Sequence, residues 1–212
     1  MASKGINIQS FTFGPFQTNT YVVTVPGEEG DRCLIIDPAC FTEYEKQALR
    51  SYIGRLENGS TSVRILATHG HLDHLWGAAW ACAQWQTPVI LHEADIPMAE
   101  AMQTQYDLFG IGLQAEPFPI EPISNLKSQI SNLQFEILST PGHTPGSICL
   151  YFPEDEILFS GDTLFHMGYG RTDLPGGNYA QLMDSLHRLL ALPPQTQVLS
   201  GHGEASRIAW NR

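Results

Sequence analysis

Basic side chains are scarce in this chain: 11 Lys and Arg stand against 22 Asp and Glu in 212 residues, a formal net charge of −11 with histidine neutral. Such a surface repels phosphate backbones, because nucleic-acid binding relies on Lys and Arg displacing counterions, and it repels anionic membranes for the same reason. No nucleic-acid or membrane partner is expected. Nor is there a run of about 18 apolar residues, which excludes a spanning helix. Residues 1–10 lack the basic segment followed by an apolar one that marks a secretory leader, so a soluble, cytoplasmic protein is the expectation. The four cysteines, Cys33, Cys40, Cys82 and Cys149, show no C-x-x-C spacing, which removes a zinc ribbon and a thioredoxin-type motif and leaves buried free thiols.

What is present argues for a folded core. Hydrophobic residues make up 42% of the chain and charged residues only 16%, a balance opposite to that of disordered chains. The length suffices for a core without disulfide staples, and one domain over residues 1–212 is expected. Strand patterns are read at Ile6–Phe13, Tyr21–Val25 and Cys33–Ile36, as an antiparallel start to a sheet, then at Val63–Ala67, Val89–Leu91, Leu133–Ser139, Ile148–Phe152, Glu156–Phe159 and Thr196–Leu199. Helical spacing of apolar residues covers Thr42–Leu56, stopped by Asn58-Gly59, then His74–Trp85 and Glu93–Gln103. A last helix ends before Pro193-Pro194 and has Asn178 as its candidate N-cap. The Gly- and Pro-rich stretch Tyr106–Pro122 reads as a surface loop. Two sheets, or one split sheet, flanked by helices would accommodate this order.

Against so few basic residues, eight histidines are conspicuous, and they cluster. Thr68-His69-Gly70-His71-Leu72-Asp73-His74 places three imidazoles and a carboxylate within six positions directly after a strand. The chain's own composition gives that pattern a chance expectation of about 5 in 10,000. At a strand end His69 and His71 share a side, because side chains alternate with period two. Asp73 and His74 fall where the chain turns into a helix, displaced toward a second point. A zinc-like ion needs three or four ligands, and imidazole with carboxylate suits it. Three further candidates lie just past strands: His143 in the Pro- and Gly-rich turn 139–146, Asp162 in Ser160-Gly161-Asp162-Thr163, and His202 in Ser200-Gly201-His202-Gly203. Loops at strand ends on a rigid scaffold are where function concentrates. His92 and His187 lie outside this pattern and read as ordinary histidines, and Trp76 and Trp80, one helical turn apart, read as core.

The set His69-x-His71-x-Asp73-His74, His143, Asp162 and His202 resembles the metallo-β-lactamase superfamily over essentially the whole chain. The resemblance implies an α+β fold, a four-layer αββα sandwich, with a site for two divalent metal ions between the sheets. His69, His71 and His143 would hold one ion and Asp73, His74 and His202 the other, with Asp162 bridging. Zinc is the first expectation, with iron or manganese as alternatives. Gly161-Asp162-Thr163-Leu164-Phe165 followed by Gly168-Tyr169-Gly170-Arg171 is similar to the glyoxalase II group of hydroxyacylglutathione hydrolases, and more closely to short bacterial members made of the catalytic domain alone. The chain stops ten residues after His202, so the helical domain that grips glutathione in full-length members is expected to be absent. Glu204 stands where a Tyr is usual and Tyr169 where a Cys is usual. These departures leave the thiol portion of the substrate open.

The expected activity is hydrolysis of a small-molecule thioester, glutathione thioesters among the candidates. Metal binding lowers the pKa of water from 15.7 to about 7, so a bridging hydroxide can attack without a Ser or Cys nucleophile. Asp73 could orient that hydroxide or accept its proton. Arg171, with a fork of donors suited to a carboxylate, and Tyr169 are the candidate substrate contacts; an Arg171–Asp173 pair within the loop is the competing reading for Arg171. The alternative function is a persulfide dioxygenase, a class that shares the Gly170-Arg171-Thr172-Asp173 sequence and uses one iron, by analogy on His71, His143 and Asp162. A non-catalytic metal-binding protein is the remote third.

Overall fold

A computed structural model describes residues 5–25, 32–56, 62–123 and 135–212. The first sheet contains β1 (Asn7–Phe13), β2 (Thr18–Val25), β3 (Arg32–Ile36), β4 (Ser62–Leu66), β5 (Val89–His92) and β6 (Ile120–Ile123), in that spatial order. β1, β2 and β3 pair antiparallel, as expected, whereas β3 through β6 are parallel. The second sheet uses β7 (Glu136–Ser139), β8 (Ile148–Phe152) and β9 (Ile157–Gly161). A short hairpin, β10 (Leu164–Phe165) and β11 (Gly168–Tyr169), follows before β12 (Gln197–Ser200) and β13 (Ser206–Arg207) complete that sheet.

Alternation along the strands sorts side chains into layers. Val22, Cys33 and Ile35 point one way, into a core shared with α1 (Glu43–Arg55), α2 (Leu72–Leu75) and α3 (Ala78–Trp85). Tyr21, Val23, Leu34 and Ile36 point the other way and meet Ile148, Leu150 and Phe159 of the second sheet. Cys149, Tyr151 and Leu158 face outward onto Leu182, Leu186 and Leu189 of a helix at Tyr179–Leu190. The result is helices, sheet, sheet, helix: the four-layer sandwich that the family resemblance implies. β2 and β3 are buried on both faces, the reading expected of a central strand.

Several boundaries differ from the sequence reading, each for a tertiary reason. The helix read at His74–Trp85 is two pieces, α2 and α3, broken around Gly77. Gly77 N donates to Pro38 O at 2.8 Å, and a Cβ on Gly77 would collide with Cys40 Sγ, so the chain must bend there. The helix read at Glu93–Gln103 is a 3-10 turn at Glu93–Asp95, then α4 (Ile96–Glu100) and α5 (Met102–Leu108), and the final helix is α6. The stretch 106–122 is not all loop: α5 extends into it, and β6 adds an edge strand that tolerates Pro122. The strand read from Leu133 is seen as Glu136–Ser139; Leu133, like the Asn58-Gly59 stop signal, lies outside the described residues. Asn178 does cap α6, its Oδ1 accepting from Gln181 N at 3.1 Å.

Candidate metal centre

Every ligand candidate lies just past the carboxyl end of a strand. The 69–74 segment follows β4, His143 follows β7, Asp162 follows β9 and His202 follows β12. Packing of the two sheets brings these four loops together. Within 4.8 Å, ligand atoms gather as His69, His71 and His143; as His69, His74 and Asp162; and as Asp73, His74 and His202.

The separations suit a cation between the atoms. His69 Nε2 lies 3.1 Å from His71 Nδ1, which lies 2.9 Å from His143 Nε2. Tetrahedral ligands at about 2.0–2.1 Å from an ion would stand about 3.3 Å apart. In the other group His202 Nε2 and His74 Nε2 lie 3.2 and 3.5 Å from Asp73 Oδ2. Asp162 lies between: Oδ2 is 3.5 Å from both His143 Nε2 and His202 Nε2, and Oδ1 is 3.3 Å from His74 Nε2.

The outer ring nitrogens decide what the inner ones offer. His143 Nδ1 must donate to Arg171 O, 2.7 Å away, which leaves a lone pair on Nε2. Thr68 Oγ1 spends its hydrogen on Asp37 Oδ2 at 2.8 Å, so it accepts from His69 Nδ1 at 3.1 Å and again leaves Nε2 bare. His74 Nδ1 donates to Asp37 Oδ2 at 2.9 Å and His202 Nδ1 to Phe16 O at 3.1 Å. His74 Nε2 and Asp162 Oδ1 are buried and face each other at 3.3 Å, with no well-formed hydrogen bond to each other or to another described residue. Converging lone pairs and two buried polar atoms without a formed hydrogen bond are what a metal site looks like to its ligands.

Electrostatics sorts the same groups. Burial, with His143 and His74 nearby, pushes His71 down to about 3, and burial holds His69 well below the ordinary imidazole range. Both are neutral at pH 7 and able to ligate. Burial would lower His74 also, but Asp73, Asp162 and Asp37 outweigh it and hold it well above its ordinary value. Hydrogen bonds to Asp162 and Asp73 likewise overcome burial and raise His202 to about 9. Burial opposes ionisation of Asp73 and Asp162, yet His74 and its neighbours hold Asp73 at about 2 and Asp162 well below the carboxylate range. The carboxylates therefore demand positive charge at this spot.

Two residues the sequence reading passed over support the cluster. Asp37 accepts from Thr68 N at 2.6 Å, in addition to Thr68 Oγ1 and His74. Its position just past β3, before Pro38, is the same strand-end signal that marks the ligands. Asp95 accepts from Gly70 N at 2.9 Å and from Thr144 Oγ1 and Gly146 N at 2.6 Å each, tying the His69–His71 loop to the His143 loop. A Cβ on Gly146 would sit 2.7 Å from the Asp95 carboxyl carbon, so glycine is required there. No local pattern marks Asp95. Thr18 Oγ1 donates to Asp73 Oδ2 at 2.7 Å and constrains it further.

A cavity of about 500 Å³ opens over the cluster, with Tyr169 and Arg171 on its wall. Arg171 forms a two-pronged pair with Asp173, both contacts 2.7 Å, so the loop-structure reading of Arg171 holds while the residue still faces the cavity. Tyr169 stands against Tyr179. His92 instead caps the turn at Glu93, accepting from Ala94 N. Trp76 and Trp80 are partly buried against the helical core, as expected.

A fold of this layering, with His and Asp loops gathered at one end of both sheets, is that of a metallo-hydrolase scaffold. The family model for the metallo-beta-lactamase superfamily matches residues 13–202, and the chain belongs to that superfamily. It is 39% identical over 198 residues to the probable metallo-hydrolase YqgX of Bacillus subtilis, covering 92% of this chain and 89% of that one. It is 33% identical over 214 residues to the hydroxyacylglutathione hydrolase GloC of Haemophilus influenzae, covering 96% and 93%. Among solved structures it is similar to TTHA1623 in a di-iron-bound form, with a TM-score of 0.80, 35% identity and coverage of 95% and 96%. Among the described residues no helix is long and apolar enough to cross a membrane.

Proposed function

We propose that this chain is a dinuclear metal-dependent hydrolase of small-molecule thioesters, working as one catalytic domain over residues 1–212. The observation that carries the reading is the double cluster joined by Asp162, with buried His74 Nε2 and Asp162 Oδ1 facing each other at 3.3 Å without a formed hydrogen bond. His69, His71 and His143 would hold one ion, Asp73, His74 and His202 the other, and Asp162 both; zinc is the first choice, and the di-iron form of TTHA1623 makes iron a strong second. Such a pair supplies an ionised water near neutral pH and a Lewis acid for the carbonyl oxygen.

The protein's own groups do the positioning. Asp73, whose Oδ2 is anchored by Thr18 and lies 3.2 Å from His202, would serve as a ligand and as the acceptor of a proton from water at the site. Asp37 and Asp95 fix the ligand loops. Arg171 and Tyr169 face an arriving substrate from the cavity wall. Similarity to a hydroxyacylglutathione hydrolase supports the thioester class. The buried thiols of Cys40, Cys82 and Cys149 suit the reducing cytoplasm.

The single-iron dioxygenase reading would leave Asp73, His74 and His202 gathered around nothing. Metal analysis of the purified protein, beside steady-state assays with S-lactoylglutathione, other thioesters and glutathione persulfide, separates the two. Two metals per chain with thioester turnover is the expected result; one iron with oxygen consumption would overturn it. His71→Ala and Asp162→Ala should each lose metal and turnover while circular dichroism stays that of a folded protein. Full turnover by a metal-free Asp162→Ala variant would sink the mechanism.

A further inference from the structure

The cavity over the metal-ligand cluster continues into a second hollow of about 360 Å³. His71, Gln105, Phe109 and Leu174 line both, so the hollow opens directly beside a ligand imidazole. Its far walls are Pro97, Met98, Ala101 and Leu108 from the α4–α5 region, facing Pro145 and Pro175 from two loops. Among the described residues no Lys, Arg, Asp or Glu lines it. Leu108 is 63% exposed and Phe109 38%, so apolar side chains stand open to water at the edge of a site rather than in a core. An apolar concavity of this size with a few polar groups at one end is the usual form of a small-molecule pocket, and exposed apolar surface of this kind marks ligand grooves.

Charge distinguishes the two directions away from the metals. Among the described residues Arg171 is the one cationic side chain other than histidine lining either cavity, and it lines the first and not the hollow. A thiol arm bearing carboxylates or phosphates would meet a cationic side chain of the described lining in the first cavity alone, where Arg171 is shared with Asp173 and the metal positions lie nearby. The same arm in the hollow would meet no countercharge among the described residues, only the polar groups of His71, Thr104 and Gln105.

We infer that the hollow seats the acyl arm of the substrate and selects for uncharged, apolar acyl groups longer than a short hydroxy acid. This rests on the hydrolytic reading above and deepens it by naming the acyl class. Fit in the hollow comes from Ala101 and Leu108, which leave space and apolar wall where a larger or charged side chain would close it.

The test uses the metal-loaded protein and thioesters of one fixed thiol, glutathione, with straight acyl chains from acetyl to octanoyl. A second series keeps the acyl group acetyl and varies the length of a simple alkyl thiol. A third measurement follows calorimetric binding of the free carboxylates, acetate to octanoate, which needs no turnover. Along the acyl series kcat/KM should rise about fourfold per methylene until the hollow is filled, and carboxylate affinity should rise in parallel. Ala101→Trp and, independently, Leu108→Asp should each reduce the octanoyl-to-acetyl ratio at least tenfold, with circular dichroism confirming the fold. A flat acyl series in the unaltered protein, a rise unaffected by both variants, or a rise with thiol length instead would overturn the inference. Thioester hydrolysis with no dependence on acyl length would leave the hydrolytic reading standing and remove this one. Length-dependent carboxylate binding that the variants abolish, without any thioester hydrolysis, would do the reverse.

Discussion

The tautomers of His69, His143, His74 and His202 are set at Nδ1, across the ring from the Nε2 that faces the cluster, by Thr68, Arg171 O, Asp37 and Phe16 O. This is where small changes should matter most. Asp95 touches no ligand ring, yet its carboxylate holds Gly70 N, Thr144 Oγ1 and Gly146 N, one bond from the backbone that aims His69, His71 and His143. In Asp95→Asn an amide group replaces one of the two acceptor oxygens and faces donors on both sides, so one loop must shift. Metal titration should show a 10- to 100-fold loss of affinity, the usual effect of removing an outer partner. The His69, His71 and His143 position should suffer and the Asp73, His74 and His202 position should not. Equal weakening of both positions, or of neither, would remove Asp95 from this role.

Among the elements, the β1–β2 turn matters beyond its length, because it carries Phe16, whose carbonyl orients His202. Glu45 in the first turn of α1 holds that turn: Oε1 accepts from Gly14 N at 2.9 Å, while Oε2 accepts from Phe41 N and Thr42 N at 2.8 Å each. Thr42 closes the capping box from the other side. Burial alone would raise the Glu45 pKa, but these backbone donors outweigh it and hold it below its ordinary 4.5. A depressed folded value means stability that is present above the ordinary carboxylate range and lost as pH falls through the folded value. Glu45→Gln should therefore cost about 1 kcal/mol near pH 7, or about 2–4 °C in Tm, and the gap to the unaltered protein should narrow below about pH 4. A gap that is constant or widens on acidification would show that the charge of Glu45 plays no part. The break between α2 and α3 belongs to this scale also: apolar spacing signalled a helix there, but only the approach of Gly77 to Pro38 shows why it stops and restarts.

At the scale of the whole molecule, three apolar clusters among the described residues bind the four layers without using a ligand side chain. Stripping metal with a chelator should therefore leave the secondary structure in place. It should still lower Tm, because a ligand at 100 times its Kd adds about 2.7 kcal/mol to the native state, worth about 5–10 °C in a chain of this size. Loss of the far-ultraviolet signal on chelation, or no change in Tm at all, would contradict this division between scaffold and site.

All seven ligand candidates were legible from the chain alone, because each depends on local geometry: a strand ends, the next residues turn, and a His or Asp stands at the turn. The alternation that sorts Val22 and Val23 into different layers is local in the same sense. Convergence is not local. His71 and His143 are 72 positions apart and Asp37 and His74 are 37 apart. Their contact depends on strand register and on how two sheets face each other, both set by distant partners. For that reason only the tertiary structure supplied Asp95 as the tie between two loops and the apolar hollow opening beside His71. The metal chemistry was written in residue types at fixed spacings; the shape offered to the substrate arose only when the layers packed.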